Sequence, residues 1–133
     1  MKFISKPILI RYYETDQMGF VHHSNFLKYF EKARIDWLDS IGLSYSKMEK
    51  SGLILPVVKA NVKFIYPAFF GDTLEILLNI NLPPTVKLDF DYVVFNQDEK
   101  KIATGSTTIA FLDSDSRKPI RCPREISEKI SGV

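Results

Sequence analysis

The stretch PILIRYYETDQMGFVHHSNFLKYFEKARIDWLDSIG, residues 7–42, connects a predicted strand to the longest predicted helix of the chain. Residues 7–13 are apolar on both faces, which is typical of a buried strand. Residues 26–41 carry apolar side chains every three or four positions, the period of an amphipathic helix, and Gly42 is a natural end for it. The apolar stripe of this helix is wide, so the rest of the chain must cover it.

Four later segments alternate apolar and polar residues with the period of a strand: 58–66, 74–82, 86–95 and 102–112. One polar face per strand and turn-like connections indicate antiparallel pairing. Residues 43–52 are expected to form a short second helix or an irregular flap, and the tail a short helix. The order of the elements predicts a single α+β domain over residues 1–133, with the sheet curved around the long helix. Because such a sheet leaves open edges, a two-fold symmetric dimer joined edge to edge is also expected, and the sequence leaves open whether two such dimers form a homotetramer.

The composition narrows the classes of partner. The chain has 133 residues, of which 45% are apolar, and a formal net charge of +2, so nucleic acid is not an expected partner. The single cysteine, Cys122, excludes an intrachain disulfide and is interpreted as incidental. The N-terminal apolar stretch is too short and too interrupted for a signal peptide, and no apolar run approaches the roughly 20 residues of a membrane span. A cytoplasmic location is expected.

The connection ETDQMGFVHHSN, residues 14–25, gathers Asp16, Gly19 and both histidines of the chain, His22 and His23. A helix N-terminus offers unpaired N–H groups and the positive end of the helix dipole, where negative charge is stabilised. A carboxylate beside it can act as base or nucleophile toward an electrophilic carbon. The two together are the minimum for acyl transfer, in which an oxyanion must be stabilised. Gly19 would allow a tight turn between them.

Simpler interpretations of these residues stay open. An aspartate in a strand-to-helix connection is most often a turn former or a cap, and single histidines are more often surface or packing residues. A metal site made of Asp16, His22 and His23 is disfavoured, because it offers only three ligands and adjacent histidines in an extended segment point apart. The chain has no G-x-S-x-G turn for a serine nucleophile.

The segment RYYETDQMGFVHHSNFLKYFEKARIDWL resembles the opening of the 4-hydroxybenzoyl-CoA thioesterase-like family of hotdog-fold acyl-CoA thioesterases. The likeness continues in LPVVKANVKFIYPAFFGDTLEI and in SRKPIRCPREI, in the same order along the chain. It implies a five-stranded antiparallel sheet around a long central helix, dimers whose sheets join, and active sites at the subunit interface. It also implies hydrolysis of an acyl-CoA thioester without a metal or other cofactor.

The resemblance also assigns roles to single residues. The catalytic aspartate falls on Asp16, and the residue whose backbone N–H polarises the thioester carbonyl falls on His23. Gly19 belongs to the matched motif, and Asn25 either contacts substrate or water or caps the helix. The branch that acts on 4-hydroxybenzoyl-CoA has Pro-Ala after the aspartate, where this chain has Gln-Met. The sequence around His23 is more similar to branches that act on short- to long-chain fatty acyl-CoAs.

The phosphates of coenzyme A need basic side chains nearby. The candidates for this contact are Lys63, Arg117, Lys118 and Arg121, although for each one taken alone a solvated surface side chain is the favoured interpretation. Two rival functions fit the same chain: hydrolysis of a thioester carried by an acyl-carrier protein, and acyl binding without catalysis. A basic patch beside the site would favour the first rival, and the presence of Asp16 counts against the second.

Overall fold

The computed structural model of the protein describes residues 1–132. Its helices are α1 (Asn25–Ser40), α2 (Tyr45–Lys50) and α3 (Arg124–Ser131). Its strands are β1 (Lys2–Ile4), β2 (Ile8–Leu9), β3 (Leu53–Ile54), β4 (Val57–Phe64), β5 (Thr73–Asn81), β6 (Lys87–Phe95), β7 (Lys101–Ala110) and β8 (Leu112–Asp113). The predicted long helix, short second helix, four long strands and C-terminal helix are all present. No helix within residues 1–132 is long and apolar enough to cross a membrane.

The main sheet is antiparallel, in the order β1-β5-β6-β7-β4, and β2 also pairs with β5. Strands β5, β6 and β7 follow one another as hairpins, and β4 pairs with the far side of β7 from Val57↔Ile109 to Phe64↔Ala103. Helix α1 contacts β1, β4 and β5, so it touches strands at both ends of the sheet. The sheet therefore curves around the helix, as the sequence predicted. Strands β3 and β8 form a separate pair.

The prediction of one buried strand over residues 7–13 was wrong. Two short strands, β1 and β2, share that position of the sheet and pair with successive parts of β5. The chain leaves the sheet between them because the N–H of Lys6 donates to Asp36 of α1 at 3.1 Å, and Pro7 has no N–H to donate. After β2, Tyr12 and Tyr13 lie exposed in a 3-10 turn instead of continuing the strand.

Stacked aromatic rings fix α1 on the sheet. The ring of Phe30 lies nearly parallel to that of Tyr92 on β6, with 4.0 Å between their centroids, and Trp37 packs edge to face on Phe90 at 5.6 Å. Gly105 of β7 lies beneath Phe30, where a Cβ would come within 2.6 Å of the ring. Only glycine permits this close approach, and the packing sets Phe30 of α1 directly against β7.

Strand β4 is an open edge of the sheet. It pairs with β7 on one side only, and its side chains are exposed apart from Val62, which is half-buried. Val57, Val58 and Phe64 expose 45%, 52% and 54% of their surface. An apolar open edge of this length is a surface that another strand can cover.

Candidate active site

The connection between β2 and α1 closes into a tight turn at Asp16. The N–H of Asp16 donates to the carbonyl of Phe20 at 2.7 Å, and the N–H of Gly19 donates to the carbonyl of Asp16 at 3.0 Å. Gly19 has a φ of +86°, in the left-handed region that favours glycine. Thr15 and Val21 pair across the turn as an antiparallel bridge. Gly19 therefore forms the tight turn that the sequence predicted.

The carboxylate of Asp16 is fixed at one oxygen and free at the other. Its Oδ1 accepts hydrogen bonds from the N–H groups of Met18 at 2.9 Å and Phe20 at 3.2 Å. No donor within residues 1–132 bonds to Oδ2. Asp16 is thus a turn former through Oδ1, while Oδ2 keeps the lone pairs that a base or a nucleophile needs.

Three amide groups at the start of α1 are hydrogen-bonded to the segment before the helix. The N–H of Asn25 donates to the carbonyl of His22 at 3.0 Å, and that of Phe26 to the carbonyl of His23 at 3.3 Å. The N–H of Ser24 donates to the imidazole Nδ1 of His22 at 3.2 Å. In the described part of the chain, the N–H of His23 has no acceptor. One donor at the positive end of the helix dipole is therefore available.

Glu14 anchors this connection to α1. Its carboxylate accepts the phenol O–H of Tyr29 at 3.0 Å and the N–H of Arg11 at 2.7 Å. Its backbone carbonyl accepts the side-chain amide of Asn25 at 2.8 Å and the N–H of His22 at 2.8 Å. Burial and the Glu14 carboxylate both raise the pKa of Tyr29, so the phenol stays protonated and remains a donor. These contacts fix the segment that carries Asp16 onto the helix.

Asp16 and His23 line one cavity of about 300 Å³. Its remaining walls come from the turn, from the first residue of the apolar helix stripe and from the chain at the end of β4: Met18, Phe20, Val21, Phe26, Phe64, Ile65, Tyr66, Pro67 and Ala68. This lining is predominantly apolar. Two residues that carry a free carboxylate oxygen and a free N–H and that line an apolar cavity suit an acyl group whose carbonyl carbon is attacked.

The wall formed by Phe64, Ile65 and Tyr66 was missed by the sequence reasoning. Period-two alternation placed Phe64 and Tyr66 on the apolar face of a strand, yet they expose 54% and 38% of their surface. The ring of Phe64 lies edge to face on Phe26, with centroids 5.4 Å apart, and faces the His23 ring at 6.4 Å. A signal was present, because Ile65 interrupts the alternation and makes three consecutive apolar residues at the strand end.

Two further predicted contact residues lie near the cavity without lining it. The side chain of Asn25 is buried, and its amide nitrogen is bound to the Glu14 carbonyl. Asn25 therefore does not cap α1 as the sequence allowed, and its contact with substrate stays a prediction. Lys63 precedes Phe64 on β4 and is exposed. Because side chains alternate along a strand, it points away from the face that carries Phe64.

The other basic candidates lie at the opposite end of β4 from the cavity. Arg117 and Lys118 follow β8, which pairs with β3 just before β4 begins, and the exposed Arg121 follows in the segment between β8 and α3. Along β4, Val57 and Phe64 are separated by about 23 Å at the usual rise of about 3.3 Å per residue. Within one protomer, these three side chains and the Asp16 cavity are therefore not brought together.

The two histidine rings lie together, so the expectation that they point apart was wrong. Their centroids are 4.1 Å apart, because the chain turns into α1 at His23 instead of staying extended. They nevertheless form no metal site with Asp16. Within residues 1–132, no three His, Cys, Asp or Glu side chains are grouped so that they could hold a metal ion.

Comparison with known proteins adds independent information. The family model of the thioesterase-like superfamily matches residues 10–130. A DHNA-CoA thioesterase from Staphylococcus aureus superposes with a TM-score of 0.92 at 33% identity, covering 98% of this chain and 89% of that one. The acyl-CoA thioester hydrolase YbgC of Escherichia coli is 25% identical over 120 residues, which cover 90% of each chain. The acyl-acyl carrier protein thioesterase ATL3 of Arabidopsis thaliana is 26% identical over 128 residues, covering 96% of this chain and 67% of the relative.

These matches extend over almost the whole described domain and confirm the hotdog fold. They show that the chain is a member of the superfamily, but they do not show that it belongs to the 4-hydroxybenzoyl-CoA branch. The three relatives differ in the carrier and acyl group in their names, but each is named for cleavage of a thioester. The chain belongs to the thioesterase-like superfamily, and it is a thioester hydrolase.

Proposed function

We propose that this protein hydrolyses acyl-CoA thioesters to a free acid and coenzyme A, with Asp16 and the backbone amide of His23 as the reacting groups. The observation that carries the proposal is that the free Oδ2 of Asp16 and the unpaired N–H of His23 belong to residues lining the same apolar cavity. The acyl group lies against the apolar wall, and the thioester carbonyl accepts the N–H of His23.

Asp16 acts at the carbonyl carbon in one of two ways. As a base, its Oδ2 takes a proton from a water molecule whose oxygen attacks the carbon. As a nucleophile, Oδ2 attacks the carbon itself and forms a mixed anhydride, which water then hydrolyses. In both cases, the carbonyl oxygen becomes negative before the carbon–sulfur bond breaks, and the His23 N–H stabilises that charge. Rapid-quench mass spectrometry separates them, since only the second forms a covalent acyl-enzyme.

Two substitutions at His23 separate the ring from the amide. His23→Ala keeps the N–H, whereas His23→Pro removes it; because this N–H has no acceptor within residues 1–132, the fold loses no hydrogen bond. Loss of one oxyanion donor lowers kcat by about 10²–10³-fold, so we expect that loss for His23→Pro and a much smaller one for His23→Ala. Circular dichroism checks that both variants fold. Equal losses in the two variants would assign the role to the imidazole and contradict the proposal.

We further propose that two copies pair through their β4 edges around a two-fold axis. The open apolar edge from Val57 to Phe64 supports this, because antiparallel pairing would cover it. Such pairing sets the Val57 end of one β4 beside the Phe64 end of the other. The partner's basic turn at Arg117 and Lys118 then lies near the cavity of the first protomer, where it can bind the phosphates of coenzyme A.

A mixed dimer tests this arrangement. One chain carries Asp16→Asn, and the other carries Arg117→Glu with Lys118→Glu. If the basic turn serves the partner's cavity, one site of the mixed dimer is intact, and we expect about half of the wild-type kcat/KM per dimer. If the basic turn serves its own cavity, both sites are impaired. A monomer in light scattering, or activity no higher than that of the two parent dimers, would refute the arrangement.

The acyl preference follows from the same lining. Apart from Asp16, His23 and Tyr66, the cavity wall has no side chain that pairs with a polar acyl substituent. We therefore propose an apolar acyl group, aliphatic rather than hydroxylated aromatic, in line with the Gln-Met that follows Asp16. A hydrolysis screen with acyl-CoAs of graded length and matched hydroxybenzoyl-CoAs tests it. Higher kcat/KM for the hydroxybenzoyl compounds would contradict this preference.

Hydrolysis of acyl-carrier-protein thioesters is a second candidate, and one observation favours it. Arg11, Lys28 and Lys32 line a groove of about 430 Å³ that runs beside the first half of α1. Carrier proteins are acidic, so this basic groove suits them. Equal concentrations of acyl-CoA and acyl-carrier protein should be compared, with Lys28→Glu as the variant. Faster turnover of the carrier substrate that is lost in Lys28→Glu would favour this second candidate. For either substrate, we infer a cytoplasmic location, as expected from the sequence.

A further inference from the structure

His22 is exposed, yet its ring and both of its backbone groups are hydrogen-bonded. The imidazole Nδ1 accepts the N–H of Ser24 at 3.2 Å and lies 2.9 Å from the Ser24 hydroxyl. Its own N–H donates to the carbonyl of Glu14, and its carbonyl accepts the N–H of Asn25. A surface histidine with this many local contacts is part of the architecture of the helix start.

At the start of α1, the ring of His22 accepts a backbone N–H, whereas the side chain of the N-cap residue Ser24 accepts none. Ser24 occupies the N-cap position, but its side chain makes no capping bond, because its backbone is already helical, with φ −61° and ψ −24°. The backbone amide of Ser24 itself is bound by the imidazole of His22, two residues earlier. Because Nδ1 accepts this N–H, it must carry its lone pair, and the ring proton of a neutral His22 resides on Nε2.

The contact lies directly beside the unpaired amide of His23. The N–H groups of Ser24, Asn25 and Phe26 have acceptors, whereas that of His23 has none among the described residues. Of the residues at the helix start whose N–H has no acceptor there, His23 is the one that lines the cavity. The rings of His22 and His23 also lie against each other, with centroids 4.1 Å apart. Both contacts act on the peptide units on either side of His23 and restrict their rotation.

We infer that His22 is a positioning residue, whose Nδ1 holds the Ser24 amide and thereby aims the neighbouring His23 amide into the cavity as the oxyanion donor. This inference rests on the proposed thioesterase mechanism and deepens it. The residue does not touch the substrate. Its effect passes through the orientation of the peptide that joins residues 22 and 23, and misplacement of a donor by a fraction of an ångström weakens the stabilisation of the transition state.

Asparagine is the discriminating replacement. The Oδ1 of asparagine lies one bond beyond Cγ, as the Nδ1 of histidine does, so His22→Asn keeps an acceptor for the Ser24 amide. His22→Ala removes that acceptor. Ser24→Ala is the matched control, because it deletes the hydroxyl that also touches Nδ1 and keeps the amide. Both positions, 22 and 24, are exposed, so none of the three variants removes a buried side chain.

The experiment measures kcat and KM for one acyl-CoA, together with the hydrogen-exchange rate of the Ser24 amide. For His22→Ala, we expect kcat to fall by about 10- to 100-fold with KM within about threefold, and Ser24 exchange to accelerate at least about tenfold. His22→Asn and Ser24→Ala should stay within about threefold of the wild type in both measurements.

The outcomes separate this inference from the mechanism on which it rests. If the wild type is active and Asp16→Asn is inactive, but His22→Ala and His22→Asn behave alike, the inference about His22 is overturned and the mechanism stands. Unchanged kcat in His22→Ala, or a collapse in Ser24→Ala equal to that in His22→Ala, also overturns it. If the wild type hydrolyses no thioester, both proposals fail together.

Discussion

Replacing Tyr29 with phenylalanine removes one hydroxyl from the anchor that holds the Asp16 segment on α1. The phenol donates to the Glu14 carboxylate at 3.0 Å, and Tyr29 exposes only 3% of its surface. After the substitution, that carboxylate oxygen loses its protein donor, while the other oxygen keeps the N–H of Arg11. The anchor is therefore weakened without loss of the aromatic packing between Tyr29 and Phe26.

The size of the effect follows from the type of bond. A hydrogen bond to a charged group contributes about 1.5–3 kcal/mol to stability. Because Glu14 is only half-buried, water replaces part of the lost bond, and we expect about 1.5 kcal/mol. For a chain of this length, about 4 °C of melting temperature corresponds to each kcal/mol. Tyr29→Phe should therefore lower the melting temperature by about 6 °C.

Tyr13→Phe provides a matched control for this change. Tyr13 exposes 74% of its surface, and its hydroxyl contacts only the exposed Arg11 side chain, so its loss should cost less than about 0.5 kcal/mol. Differential scanning calorimetry and urea unfolding measure both variants. Equal shifts for Tyr29→Phe and Tyr13→Phe would refute the role of Glu14 and Tyr29 as an anchor.

Three further changes test the packing and the titrating groups. Gly105→Ala should lower the free energy of unfolding by about 1–3 kcal/mol, because the added Cβ comes within 2.6 Å of the Phe30 ring. Urea unfolding measures this change, and an unchanged free energy would mean that β7 and α1 are not in close contact there. Burial raises the pKa of Cys122 to about 11, so a disulfide reagent at pH 8 should label this thiol only after unfolding, and rapid labelling of the native protein would contradict its buried position. Burial and Glu14 raise the pKa of Tyr29 above its ordinary value of about 10. The stability from that shift is present below about pH 10 and is lost as the pH rises further. The melting temperature should therefore fall less between pH 9 and 11 in Tyr29→Phe than in the wild type. Parallel curves of melting temperature against pH for the two proteins would contradict the raised pKa of Tyr29.

The sequence predicted the long helix and the four long strands because each of those segments buries one regular face. The residues of α1 that stack on Tyr92 and Phe90 are those of its apolar stripe. The first strand was mispredicted because a tertiary contact decides it. The N–H of Lys6 turns away to Asp36, thirty residues later, and no local period records such a bond.

The site was predicted unevenly for the same physical reason. Asp16 stood out through its position before a helix, and the family resemblance assigned the polarising amide to His23; the structure places both residues on one cavity. The roles of His22 and Glu14 depend on hydrogen bonds within a folded turn, which composition and spacing do not reveal. The aromatic wall at Phe64 depends on β4 being an edge strand, and strand order cannot be derived from alternation alone.

The central claim is that the free oxygen of Asp16 acts on a thioester carbon, and Asp16→Asn tests it most directly. Asparagine keeps an Oδ1 that accepts the N–H groups of Met18 and Phe20, so the turn and the melting temperature should be preserved, while the amide nitrogen that replaces Oδ2 is neither base nor nucleophile. The measurement is kcat for the best acyl-CoA of the screen, with the wild type beside it. We predict a loss of at least about 10³-fold at an unchanged melting temperature. A folded Asp16→Asn variant that retains the wild-type kcat would contradict the assignment of the active site.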